Sequence, residues 1–458
     1  MLATGTMVGR RRNVLMFPLP LQGHINPMLQ LAAILHARGF AITVFHTHYN
    51  APDPARNPEY RFVPVPDGMT GPKPAGVRDV LANFISLNAA CRDAFRERLA
   101  AVLEEYSREA VACLVADAYF PAMVQVAAAQ LALPTLVLRT SGAANFACFV
   151  AYPTLCDKGY LPVRESQLDT AVSELPPYRV RDLMYIGDDC HDLLRDLLAA
   201  AVAAVKDYSS GLLLNTFDAV ESRELSGLRR DLAVPVLGVG PLHKLSPAAA
   251  EGGSLLRQDR SCLEWLDAQP PESVLYVSFG SVASMGPEEM AEAAWGVADS
   301  GVPFLWVVRP GLVRGGSPDQ LPEGFEAATR GRGMVVAWAP QVEVLGHGAV
   351  GGFWTHGGWN STTESICEGV PMLCRPHFGD QMGTARYVEH VWKVGFELAG
   401  ELERGRVAAA IRRLMTEKDG AETRARAREL KKAAAECFGK DGSPCPPIDN
   451  LVALMLSL

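Results

Sequence analysis

Basic charge is not in excess: 43 Lys and Arg stand against 51 Asp and Glu, a formal net charge of −8. That balance argues against a surface built for the nucleic-acid backbone. No stretch approaches the roughly 18 consecutive apolar residues of a membrane span, and the closing run LVALMLSL is too short to anchor anything. Arg10-Arg11-Arg12 precede an apolar run, as in a secretion signal, but the run is short, meets Pro18 and Pro20, and lacks a small-residue cleavage site. It reads as a first strand, with residues 1–11 a disordered leader. The 10 cysteines form no CxxC pair and no Cys/His cluster of zinc spacing. Cys113, Cys148 and Cys374 lie in apolar runs and read as reduced core residues, so no metal and a cytoplasmic location are expected. Other chemical signatures are missing too. Gly238-Val239-Gly240 lacks the third glycine of a dinucleotide fingerprint, and there is neither a Walker-type GxxxxGK[ST] nor a nucleophile elbow. The basic stretch 404–432 alternates Arg/Lys with Glu and Ala, the pattern of a solvated helix face.

What is present is a long chain of alternating strand and helix patterns. At 458 residues, 48% hydrophobic and 21% charged, it predicts two globular α/β domains with parallel sheets. Residues 13–19 predict a buried strand followed by the loop Pro20 to Ile25. Asn26-Pro27 reads as an N-cap with proline at the first helical position, and the helix runs to Gly39. Residues 41–47 predict the next strand, 50–80 a loop region and 80–107 a helix. Strands follow at 112–118 and 133–140, then a helix after Ser141-Gly142, a weakly patterned segment with a helix at 191–207, and strands at 210–217 and 234–241. The Ala/Gly/Ser-rich stretch 243–258 is the expected linker, separating a first domain (1–242) from a second (259–440). In the second domain strands are expected at 273–281, 303–308, 334–338, 351–356 and 371–375. Helices are expected at 287–299, 360–368, 380–393, 404–416 and 420–438, with a last helix within 441–458.

The richest chemistry lies between Trp338 and Gln381. The run FWTHGGWNS reads as a short strand, a glycine turn and a helix start, and a helix N-terminus offers unpaired N–H groups and a positive dipole end to phosphate. Gly357 and Gly358 permit close backbone approach, while His356, Asn360 and Ser361 can add hydrogen bonds to anionic oxygens. Trp338 can stack a base; Gly379-Asp380-Gln381 can bind sugar hydroxyls. Together these describe a nucleotide-sugar site. In the first domain, His24 sits beyond the carboxyl end of a strand, where open α/β sheets bind ligands. An imidazole, with an ordinary pKa of about 6.5, suits a general base, although a lone loop histidine is more often structural. Asp117 ends another strand and reads equally as a turn-capping aspartate. Ser361 to Glu364 also matches a helix capping box.

The stretch WAPQ…HGGWNS…ESICEGVPM…GDQ, 44 residues without a gap, resembles the signature box of plant UDP-sugar-dependent glycosyltransferases. The likeness runs from FPLPLQGHINP to the final helix and is strongest to the branch that includes steviol-glycoside and benzoxazinoid glucosyltransferases. The resemblance implies the GT-B architecture, two Rossmann-like domains facing across a cleft, with the last helix packing back on the first domain. It implies His24 as general base and Asp117 as its orienting partner. It assigns Trp338 to uracil, the Ala339 backbone to its edge, and Gln341 and Glu364 to the ribose. His356, Gly358, Asn360, Ser361, Gly280 and Ser281 fall to the diphosphate; Trp359, Asp380 and Gln381 to the sugar, with Gly23, Thr140 and Ser141 beside it. No enzyme nucleophile is evident, so a single inverting displacement from UDP-glucose, with no metal and no other cofactor, is implied. Gly357 replaces a cysteine common in the family, and Arg375 and His377 replace large apolar residues, which bears on donor choice.

Leu19, Phe84, Tyr119, Phe120, Phe146 and Phe149 are the candidate acceptor-binding residues, within loops at 18–22, 85–92, 117–122, 140–150 and 185–200. They favour an apolar or aromatic acceptor, with diterpenoid, flavonoid, benzoxazinoid and hormone classes all open. The chain is expected to be a monomer, with UDP-glucose and a small hydroxyl acceptor as its only partners. Two rivals share the features: a UDP-sugar epimerase or hydrolase, which would need carboxylates around the sugar, and a silent UDP-sugar-binding protein, which would lack His24 or Asp117.

Overall fold

In the computed structural model, residues 11–69, 77–246, 254–315, 321–438 and 445–458 are described. The leader, apart from Arg11, and much of the linker therefore lie outside the described residues. Seven parallel strands form the first sheet in the order β3-β2-β1-β4-β5-β6-β7: β1 Asn13–Phe17, β2 Ala41–Thr47, β3 Arg61–Val65, β4 Val111–Asp117, β5 Thr135–Arg139, β6 Gly211–Leu214 and β7 Val236–Gly238. Six more form the second, in the order β10-β9-β8-β11-β12-β13: β8 Val274–Ser278, β9 Phe304–Val307, β10 Gly333–Val336, β11 Val350–Thr355, β12 Met372–Cys374 and β13 Gly395–Glu397. Both sheets are covered on two faces, which is why β1, β4 and β8 read as unbroken apolar runs and are buried throughout.

Helices of the first domain are α1 Gln22–Ala37, α2 Val77–Glu105, α3 Pro121–Gln125, α4 Ala143–Asp157, α5 His191–Ala203, α6 Asp218–Asp231 and α7 Leu242–Leu245. Those of the second are α8 Ser261–Asp267, α9 Pro287–Ser300, α10 Phe325–Ala328, α11 Gln341–Gly346, α12 Trp359–Glu368, α13 Gln381–Arg386, α14 Arg404–Met415 and α15 Lys418–Phe438. The last helix, α16 Pro446–Ser457, buries Ile448, Leu451 and Met455 in the core of the first sheet with Val14 and Met16. Arg38 and Asp449 pair across that contact.

Several local readings fail, each for a visible reason. Helix α1 begins at Gln22, with Leu21 as N-cap, so Pro27 lies inside it rather than at its first position. Proline has no N–H to give the carbonyl four residues back, so Gly23 is left with a free acceptor. The side chain of Asn360 fills it, Nδ2 to Gly23 O at 2.9 Å, a bond between the two domains. Strand β3 lies inside the expected loop 50–80; its Pro64 disguised it, and proline is tolerated because β3 is an edge strand. Residues 243–245 of the expected linker belong to α7. The proposed capping box does not form, because α12 starts at Trp359 with Gly358 as N-cap. Helices α3, α6, α8, α10 and α11 and strand β13 had no expectation.

Candidate active site

The two sheets reverse strand order between β1 and β4 and between β8 and β11, and ligands of open α/β sheets bind beyond the carboxyl ends at such switch points. One cleft is lined by residues from both places: Gly23 and His24 after β1, Tyr119 after β4, Ser278 and Gly280 to Ala283 at and after β8, and His356 and Gly358 to Ser361 after β11.

On the first-domain wall, His24 Nδ1 lies 2.7 Å from Asp117 Oδ2. The carboxylate is fully buried and its other oxygen accepts the Tyr119 backbone N–H at 2.9 Å. With Nδ1 engaged by the carboxylate, Nε2 is the ring nitrogen left for another partner. Thr140 Oγ1 stands 3.2 Å from the same Nδ1. Around His24 the wall is apolar: Leu81, Phe84, Met184, Ile186, Leu194 and Leu197 line it, with the Phe84 and Tyr119 rings 4.9 Å apart. Leu19, Phe120, Phe146 and Phe149 do not line it; all four are buried in the core, Phe146 and Phe149 against each other at 5.6 Å. The apolar wall is instead supplied largely by α2, the residues before α5, and α5 itself.

On the second-domain wall, Trp338 and Ala339 lead into α11, and the Trp338 indole N–H donates to Ser254 Oγ at 3.1 Å. Gln341 Nε2 donates to Ser361 Oγ at 2.9 Å and to Glu364 Oε2 at 2.6 Å. Burial pushes the Glu364 carboxyl up to about 7, against the pull of Gln341. His356 fills the space between two glycines. A Cβ at Gly280 would stand 2.7 Å from its ring and one at Gly358 2.4 Å, and Gly280 has φ +70° besides. Burial, followed by His377 and Arg309, holds this imidazole down to about 3. It is therefore a neutral donor or acceptor at any physiological pH, not a cation.

Arg309, which the motifs did not single out, ties the strand-end loop: Nε donates to Gly280 O at 2.8 Å and Nη2 to Ala283 O. Asn215 was also missed. Its carbonyl accepts the Trp359 indole N–H at 2.7 Å, its Nδ2 reaches Asn360 Oδ1 at 3.2 Å, and its Oδ1 accepts Leu242 N at 3.0 Å. Both polar ends of Asn360, and the indole N–H of Trp359, are thus spent between the domains, though both residues line the cleft. The run NTF that carries Asn215 follows a strand, the one signal that could have drawn notice.

Ser141 Oγ donates to Asp380 Oδ2 at 2.5 Å across the cleft. Gln381 Oε1 accepts the backbone N–H groups of His377 and Phe378 at 2.8 and 3.1 Å, shaping the loop before it. Arg375 and His377 do not line the cleft: Arg375 donates to Gly400 O and Glu289, and the His377 ring lies edge-on to Phe279 at 5.9 Å. Among the described residues no group of His, Cys, Asp and Glu is arranged to hold a metal ion, and no helix is long and apolar enough to cross a membrane.

Residues 76–426 match the family described as UDP-glucoronosyl and UDP-glucosyl transferase. The DIMBOA UDP-glucosyltransferase BX8 of Zea mays is 52% identical over 455 residues, covering 97% of this chain and 98% of the relative. The DIMBOA UDP-glucosyltransferase BX9 of Zea mays is 49% identical and covers 100% of both. Among solved structures, Phytolacca americana UGT2 complexed with UDP-2fluoro-glucose and pterostilbene superposes with a TM-score of 0.81 at 27% identity, covering 99% of this chain and 100% of that one.

Proposed function

Because the chain belongs to the UDP-glucoronosyl and UDP-glucosyl transferase family, it is a UDP-glycosyltransferase, and we propose the following reaction for it. Glucose passes from UDP-glucose to a hydroxyl of a small, partly apolar plant metabolite, in one displacement that inverts the anomeric carbon and yields a β-glucoside. The observation that carries this reading is the His24–Asp117 pair at 2.7 Å, facing a cleft whose other wall presents the N-terminus of a ten-residue helix.

His24 Nε2 removes the acceptor's proton as its oxygen bonds to the anomeric carbon. The imidazolium that forms is stabilised by Asp117, which is buried and therefore acts through little intervening water. The bond from the anomeric carbon to the phosphate oxygen breaks, and UDP leaves with the electron pair. Charge growing on the diphosphate meets the free N–H groups at the start of α12, the Gly280-Ser281 turn and neutral His356. Trp338 stacks the uracil, with the Ala339 backbone at its edge; Gln341 and Glu364 hold the ribose; Asp380 and Gln381 read the glucose. The apolar wall of Leu81, Phe84 and Ile186 supports an acceptor with an aromatic or alicyclic body. The two maize relatives support a benzoxazinoid among such acceptors. The enzyme is taken as a cytoplasmic monomer.

The test is transfer itself: purified protein, UDP-glucose, and a panel of benzoxazinoid, flavonoid and diterpenoid acceptors, read by mass spectrometry. A hexosylated product is expected with at least one class, as the β-anomer. An α-glucoside would refute the single displacement, and acceptor-free conversion of UDP-glucose would favour the epimerase or hydrolase.

A further inference from the structure

Arg139 ends β5 at the carboxyl edge of the first sheet, lines the cleft beside Thr140, and is 3% exposed. Taking a guanidinium out of water is strongly unfavourable unless opposite charge or a full set of acceptors replaces its hydration. The described residues supply less than that. Nε and Nη2 both donate to one atom, Asn145 Oδ1, at 3.1 and 2.6 Å. The rings of Tyr119 and Phe149 lie 4.6 and 4.9 Å from its Cζ, a cation–π arrangement. The nearby carboxylates offset its charge from a distance but hydrogen-bond other groups: Asp117 holds His24, and Asp380 accepts from Ser141. Arg309, also buried, differs, since it spreads its donors over the carbonyls of Gly280, Ala283 and Pro310.

The place of this cation matters as much as its burial. Thr140, the next residue, touches His24 Nδ1 at 3.2 Å. Tyr119 lies between the two, its ring 5.8 Å from the His24 ring and 4.6 Å from the guanidinium carbon. The field is felt by an oxygen already there: burial pushes the Tyr119 phenol up, Arg139 pulls it back through its charge and a hydrogen bond, and the Asp380 and Asp117 carboxylates oppose that pull. A low-dielectric wall strengthens such an effect on any acceptor oxygen beside His24.

Resting on the transferase reading above, we propose that Arg139 is a specificity residue that selects acceptors whose accepting oxygen is acidic, such as phenolic, enolic or carboxylic hydroxyls. The guanidinium stabilises negative charge on that oxygen as His24 takes its proton. Aliphatic alcohols, whose oxygen carries little charge before attack, gain less.

Substituted phenols test this, with 4-nitrophenol as the optical probe. In the presence of UDP, the ionisation of bound 4-nitrophenol is followed by absorbance across pH, a readout that needs no transfer. Wild type is expected to bind the phenolate about tenfold more tightly than the phenol, a shift of about one pH unit in the bound probe. Arg139→Gln should abolish the shift and Arg139→Lys should keep part of it. In transfer assays, Arg139→Gln should lower kcat/KM for 4-nitrophenol about tenfold or more while changing benzyl alcohol little. An unshifted probe on wild type would overturn the proposal without recourse to any variant, as would an equal loss of kcat/KM for both acceptors. If the probe shifts but wild type transfers to no acceptor, the transferase reading fails and the anion-selecting role of Arg139 stands.

Discussion

The free carbonyl of Gly23 allows the contact between the domains to be tested without any substrate. Pro27 deprives it of its helical partner, and Asn360 Nδ2 takes that place at 2.9 Å while Asn360 Oδ1 accepts from Asn215. Asn360→Leu keeps the shape, removes both bonds and leaves the carbonyl unmet. An unsatisfied, half-buried acceptor costs about 1–3 kcal/mol and a lost hydrogen bond about 0.5–1.5 kcal/mol. We expect a loss of about 2–3 kcal/mol, or about 4–12 °C in Tm at about 2–4 °C per kcal/mol. Pro27→Ala returns an N–H to the helix ladder within reach of the same carbonyl. In that background Asn360→Leu should cost about 1 kcal/mol less, a coupling that a double-mutant cycle by thermal unfolding of ligand-free protein resolves. Equal losses in both backgrounds would refute the reasoning, because the carbonyl would then not be what Asn360 serves.

Three residues of the site carry the further outcomes. Asp117→Asn should lower kcat by about 10²–10⁴-fold, the range of a general-base contribution, while UDP binding by calorimetry stays near wild type. Trp338→Ala should weaken UDP by about 1–3 kcal/mol, the usual value of a base–aromatic stack, read as a Kd by the same method. Glu364 is an acid whose folded pKa, about 7, lies above its ordinary 4.5. The native state therefore holds the extra proton between those values, and stability falls as pH rises through that window, by at most about 1.4 kcal/mol per pH unit. Glu364→Gln should remove that slope in denaturation curves. Ribose hydroxyls donating to this carboxyl favour its ionised form, so UDP binding near neutral pH should release protons in wild type and not in Glu364→Gln.

The residues that could be read from the chain were those whose chemistry is local. His24 sits in a polar break after an apolar strand, and the turn His356 to Ser361 carries glycines and donors within a few positions. From its own residues Asp117 was legible only as a strand-end carboxylate, and its pairing with His24 came from the family resemblance, because that bond joins positions far apart in sequence. The acceptor wall was misread at Leu19, Phe120, Phe146 and Phe149 because an apolar residue near a motif looks the same whether it faces a cleft or the core. Phe146 and Phe149 share one face of α4, and that face turns inward, while Met184, Ile186, Leu194 and Leu197 arrive from a segment with little pattern. The roles of Asn215, Arg309 and Arg139 depend on which carbonyls or rings the fold brings beside them. Pro27 and Pro64 misled for the opposite reason: their local signals are strong, and tertiary packing overrode both.

The most direct measurement is transfer of glucose by wild type and His24→Gln under the same conditions, with UDP binding measured on both. Product is predicted from wild type and a fall in kcat of at least about 10²-fold in the variant, with UDP held equally by the two. Equal transfer by both proteins would contradict the account and remove His24 from the centre of the reaction.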